Sequence, residues 1–208
     1  LDFPKEQGMK SLFSFRKALI IGFFAMMFSA AAMADTKLEP TWVKEGVNWG
    51  QYSKFLVRPL EIDNVKVVRP PWAEDDPNEW VLEIESLESI QAIFRDVMKD
   101  VLSADSGYPV VYADGKDVLE VEVEILSIMP WVRPGSDGTV DGMEMTTMGS
   151  GEITASVKLR DSKNRELLLL FEGDKAVGEE YKEFTTANNV ANLEKMFKTF
   201  AKRLRTSM

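Results

Sequence analysis

The chain has 208 residues, a length suited to one globular domain or at most two. It carries 25 Lys and Arg against 34 Asp and Glu, a net charge of −9, with no His and no Cys. Those absences exclude disulfides, Ser-His-Asp and Cys-His nucleophilic systems, and zinc sites built from His or Cys. The acidic balance argues against a nucleic-acid partner, whose phosphates require a basic face.

The N-terminus reads as an export signal. Met9, Lys10, Arg16 and Lys17 form a basic region, residues 18–32 carry no charge, and Ala32-Met33-Ala34 precedes Asp35. This order of basic, apolar and small-residue segments is that of a cleavable signal peptide, cut after Ala34. Residues 1–8 read as lying upstream of a start at Met9. The apolar run is shorter than the ~18–20 residues needed to span a bilayer, so no transmembrane helix is expected after cleavage. The mature protein is expected in the periplasm. Bacterial lipoproteins are acylated on a Cys directly after the leader, and position 35 is Asp.

Residues 35–51 read as an irregular lead-in with Pro40, Gly46 and Gly50, and with Trp42 and Trp49 folded onto the domain. Residues 52–208 read as a single α+β domain. Residues 52–62 suggest a strand in which Pro59 marks either a sheet edge or a bulge. Residues 69–80, with three prolines and four acids, read as a loop. Ile90, Ile93, Phe94, Val97 and Val101 share one helical face, which predicts a helix over 86–103 with Ser86 as N-cap.

Leu119, Val121, Val123 and Ile125 alternate with Glu120, Glu122 and Glu124, the period of a half-buried strand. Residues 130–151 hold Gly135, Gly138, Gly142, Gly149 and Gly151 and read as a flexible loop. Ile153, Ala155, Val157 and Leu159 begin a hairpin that turns at 161–164 and returns over 166–172. A final helix over 189–205 presents Leu193, Met196, Phe197, Phe200 and Leu204 on one face. The order is β-α-β-β-β-α. The predicted fold is α+β: a small, mostly antiparallel sheet with both amphipathic helices on one face. The other face is expected to show Glu120, Glu122 and Glu124 to solvent, opposite Thr, Ser, Lys and Arg.

The strand LEVEVEILSIMP, the glycine loop, the segment GSGEITASVKLRDSKNRELLLLFEGD and the C-terminal helix together resemble an uncharacterised bacterial family of lipoprotein-type envelope domains. The matching residues are Gly149 and Gly151 entering the strand and Asp161-Ser162 ending it. The resemblance spans 52–205. It implies an envelope location and a helix-on-sheet domain, and it supplies no catalytic residue. The chain departs from the family pattern by lacking the acylated Cys.

Met143, Met145 and Met148 form an M-x-M-x-x-M string. Together with Trp131 they read as a contact loop for a partner, because methionine surfaces repack around different shapes. One alternative is that Met143, Met145 and Thr147 begin a strand whose methionines fill gaps under the sheet or loop. The other is a Cu(I) or Ag(I) site, since soft thioethers select those ions. Asp137, Asp141 and Glu144 offer oxygens for Ca²⁺ in an order that fits no familiar loop. Glu120, Glu122 and Glu124 do not suggest glycosidase chemistry, which needs a deep cleft. The sequence therefore points to a non-enzymatic envelope protein with no cofactor, binding another envelope protein or a cell-wall component.

Overall fold

The computed structural model describes residues 40–206, apart from 105, 106, 137 and 141. The predicted signal segment lies outside the described residues. Strands β1 (Pro40–Val43), β2 (Lys54–Val57) and β3 (Lys66–Val67) precede helix α1 (Ile84–Leu102). Seven strands follow: β4 (Val118–Pro130), β5 (Thr139–Val140), β6 (Met143–Glu144), β7 (Thr146–Met148), β8 (Gly151–Asp161), β9 (Leu167–Val177) and β10 (Tyr181–Glu183). Helix α2 (Thr186–Thr206) ends the fold.

The main sheet runs β1-β9-β8-β4-β2, with β3 also on β4. The β1, β9, β8 and β4 neighbours are antiparallel, whereas β2 and β3 run parallel to β4. The α+β class and the mostly antiparallel sheet agree with the sequence reading. The lead-in is less irregular than expected, because Pro40–Val43 forms an edge strand on β9. No period-two pattern announces so short a strand. The strand predicted over 52–62 is shorter, Lys54–Val57, ending before Pro59, and it lies at the sheet edge, one of the two readings of that proline.

The alternation in β4 sets the layers. Leu119, Val121, Val123 and Ile125 join Ile153, Val157 and Leu159 in one core cluster. Both helices close over that face. Phe94 of α1 meets Phe197 of α2 edge-to-face, with ring centroids 5.3 Å apart. Ile90, Val97, Phe197, Ala201 and Leu204 are buried there, and Ile93, Leu193 and Phe200 pack partly buried around them. Helix α1 begins at Ile84, earlier than predicted, and Ser86 lies within its first turn rather than capping it. At its other end the Arg205 guanidinium of α2 donates to the carbonyls of Val101 (3.2 Å) and Ala104 (3.3 Å). A cation there meets the negative end of the helix dipole.

Two joints account for the motifs that stand out in the sequence. Gly149 has φ +77°, and a Cβ there would come within 2.3 Å of the Gly178 carbonyl oxygen. The Ser150 amide donates to Val177 O at 2.7 Å, and its hydroxyl donates to Asn189 Oδ1 at 2.7 Å. Asn192 Nδ2 donates to the same hydroxyl at 2.9 Å, so the entry of β8 is tied to the first turns of α2. Asp161 forms the second joint. Its Oδ1 accepts from the amides of Lys163 (3.0 Å) and Asn164 (3.2 Å), and its Oδ2 accepts from the Tyr52 hydroxyl (3.0 Å). Ser162 is buried and exchanges two hydrogen bonds with the Gly115 backbone, both 3.0 Å.

The Tyr52 contact carries a pH signature. Burial, then the hydrogen bond to Asp161, push the Tyr52 phenol up to about 12 from 10.0. The folded phenol thus holds its proton above the pH at which the unfolded one releases it. The stabilisation is complete below about pH 10 and is lost as the pH rises through about 12. Thermal melts of wild type and Tyr52→Phe should therefore differ most at neutral pH and converge at the alkaline end. A gap independent of pH would contradict this.

Candidate interaction surface

Strand β4 carries the chain to Trp131 at one end of the sheet. There the segment predicted to be a flexible loop is largely built into two ribbons. Strands β5 and β6 pair with Val140 opposite Met143, joined through residues 141 and 142. Gly142 at φ +76° supplies the left-handed conformation that so tight a connection needs. Strand β7 pairs with β10, with Met148 opposite Tyr181 and Thr146 opposite Glu183. The expectation of a loose connection over 130–151 is corrected accordingly. The glycines serve turns: Gly138, at φ +77°, lies against Phe184 and accepts from the Met145 amide at 2.8 Å.

Directly opposed residues on paired strands share a face. Met148 and Tyr181 thus stand together, 51% and 75% exposed. Trp131 donates its indole N–H to the Met148 carbonyl at 2.8 Å. Trp72, from the proline-rich 69–80 segment, leans on Trp131 with ring centroids 5.2 Å apart and planes tilted by 51°. Trp72 is 63% exposed. An ion pair between Arg133 and Glu79 fastens the two segments that carry the tryptophans. The result is a Trp72–Trp131 pair set beside the ribbon that carries Met148 and Tyr181.

Of the residues singled out in the sequence, Trp131 and Met148 are brought together. Met143 is exposed on the other ribbon, and Met145 is half-buried between the two. The M-x-M-x-x-M string is thus divided between β6 and β7. Asp137 and Asp141 lie outside the described residues, and Glu144 is exposed on β6. Among the described residues, no group of three His, Cys, Asp or Glu is arranged to hold a metal ion. Trp72 and Tyr181 were not among the predicted contact residues. A lone Trp in a proline loop and a Tyr between glutamates carry no periodic signal, and only the fold joins them to Trp131.

The polar face of the sheet departs from expectation. Glu120 is fully buried, not solvated. Arg58, just beyond β2, and Arg165, from the β8–β9 turn, both donate to Glu120 Oε1. Arg165 has φ +63°, which turns its side chain back over the sheet. Its second nitrogen reaches Glu122 at 2.9 Å, and Arg160 holds the other oxygen of Glu122 at 2.9 Å. Lys158 lies 3.6 Å from Glu124. Opposite charge across β4 and β8 was legible in the sequence, but the two arginines that cover Glu120 come from outside the paired strands. A groove of about 430 Å³ beside them is lined by Arg58, Glu61, Gln91, Glu122, Lys158 and Arg165, among others. Its lining includes the Arg165–Glu122 and Lys158–Glu124 pairs.

A family profile described as a protein of unknown function, DUF3313, matches residues 28–204. The chain belongs to the DUF3313 family. This agrees with the resemblance read from the sequence to an uncharacterised family. No curated protein matches the chain. Among solved structures, the chain is similar to protein XCC0632 of Xanthomonas campestris, of the DUF330 family, at 15% identity and a TM-score of 0.38, covering 79% of this chain and 90% of that one. It is also similar to the PelC dodecamer of Paraburkholderia phytofirmans, at 8% identity and 0.34, covering 74% and 89%. A candidate lipoprotein from Caulobacter crescentus matches at 14% identity and 0.32, covering 69% and 85%. In this DUF3313 chain, Gly149, Asp161 and Ser162 sit in the two structural joints described above, and Gly151 begins β8. Among the described residues no helix is long and apolar enough to cross a membrane.

Proposed function

We propose that this protein is a non-enzymatic binding module of the bacterial cell envelope, exported to the periplasm, with its Trp72–Trp131–Met148–Tyr181 end as the contact surface. The observation that carries the reading is the Trp72–Trp131 pair beside the exposed Met148 and Tyr181. Binding energy in protein interfaces concentrates on Trp and Tyr, and methionine adapts to the shape laid on it. The non-enzymatic part rests on the sequence, which has no His and no Cys, and on the use of Asp161, Ser162 and Glu120 in structural contacts. The envelope part rests on the signal-peptide pattern that ends at Ala34. A thioether site for Cu(I) or Ag(I) has weaker support, because Met143 and Met148 stand on different ribbons.

Two experiments test the proposal. Export predicts that N-terminal sequencing of protein from the periplasmic fraction begins at Asp35. A chain that retains the leader and stays in the inner membrane contradicts it. The contact surface predicts that Trp72→Ala/Tyr181→Ala leaves stability within about 1 kcal/mol, because exposed side chains contribute little to folding. The same variant should lose the proteins that co-isolate with the wild-type chain. An unchanged set of co-isolated proteins counts against the surface.

A further inference from the structure

The contact surface has a second chemical property besides its aromatic centre. Trp72 is followed by Glu74, Asp75 and Asp76, all exposed. Glu183 shares the ribbon face of Tyr181, since alternate residues of a strand point the same way. Among the described residues, Glu74, Asp75, Asp76 and Glu183 take part in no ion pair. Of the cations nearby, Arg133 pairs with Glu79 and Lys182 with Glu180 at 2.9 Å, while Arg69 donates to the Asp75 backbone carbonyl and offsets one of these charges. An apolar centre is therefore accompanied by exposed carboxylates that no cation pairs among the described residues, the Asp76 carboxylate accepting only from Asn78.

A partner that covers this surface takes water away from those carboxylates. An uncharged or acidic partner would leave them desolvated and uncompensated, which is costly. A partner with Lys or Arg beside apolar side chains would cover the rings and answer the rim together. Its cations would also gain from the faces of Trp72 and Tyr181. An anionic lipid surface fails the same test, because the rim would repel it. Resting on the contact reading above, we infer that the recognised element is a basic, apolar peptide segment of a partner protein.

The test uses three short synthetic peptides without Trp, identical in their apolar residues and carrying Arg, Gln or Glu at the remaining positions. Binding to the mature chain is read from its Trp emission. The Arg peptide should bind saturably, and more weakly as salt is raised, because exposed charges are screened. The Glu peptide should not bind. Because the whole chain is acidic, a charge-matched control is needed. Glu74→Gln/Asp75→Asn/Glu183→Gln removes rim charges and keeps Asp76, whose Oδ1 accepts from the Asn78 amide at 2.9 Å. Glu88→Gln/Asp96→Asn/Asp100→Asn removes as many exposed charges from α1.

The rim variant should weaken the Arg peptide about tenfold or more, and the α1 variant should leave it unchanged. Equal weakening by both variants would overturn the inference, since net charge alone would then explain binding. Equal binding of the Gln and Arg peptides, lost in Trp72→Ala, would overturn the basic partner while leaving the contact surface standing. Absence of saturable binding by any peptide would overturn the inference as well.

Discussion

Phe197→Ala is expected to destabilise the domain by about 3–5 kcal/mol, as large-to-small changes of buried aromatics do. The ring is buried, lies edge-to-face on Phe94, and sits where α2 meets both α1 and the sheet. Removing it opens a cavity between three elements whose backbones are held elsewhere. Arg205 pins α2 to the end of α1, and Asn189 and Asn192 pin its start to Ser150. Collapse into the gap is therefore restricted, which places the cost toward the upper part of that range. Urea unfolding monitored by circular dichroism measures it. A loss below about 1 kcal/mol would mean the helices do not share one core over the sheet.

The second large effect concerns Glu120, and its direction is asymmetric. Arg58→Ala/Arg165→Ala strips a buried carboxylate of both cations bonded to it, and should cost about 3–5 kcal/mol. The backbone of residue 165 is left-handed with either side chain, so conformational strain does not distinguish the two. Glu120→Gln should cost less, about 1–2 kcal/mol, because the freed guanidiniums can turn to water. Their side chains are already 42% and 51% exposed. Denaturant midpoints of the two variants give the comparison. Equal losses, or a larger loss for Glu120→Gln, would show that the carboxylate reaches water on its own.

Much of the framework was legible in the sequence because its elements bury one face each. The alternation of Leu119 to Ile125 set the core face of β4, and the 3.6-residue stripes of Ile90 to Val101 and Leu193 to Leu204 set both helices. What escaped lay in contacts between distant segments. Pattern reading put Glu120 on the solvent side with Glu122 and Glu124, which is correct for the face. It could not foresee Arg58 and Arg165 closing over that position. The Asp141-Gly142 pair is a hairpin signal by residue type. It was overshadowed by the density of glycines around it, which looked like flexibility. The candidate surface was half legible: Trp131 and Met148 came from the sequence, and Trp72 and Tyr181 from the fold alone.

The central claim is that the aromatic end meets a partner, and site-specific photocrosslinking in intact cells tests it most directly. A photoreactive side chain at Tyr181 probes the surface. The same group at Tyr112, 85% exposed, provides the control. Tyr112 lies next to the strands that begin the sheet edge, since Val111 donates to Phe55 O, whereas Trp131 follows the far end of β4. The 13 residues of β4 separate the two ends by about 40 Å. The account predicts a discrete adduct from position 181 and none from position 112. The same adduct from both positions, or none from position 181, would contradict it.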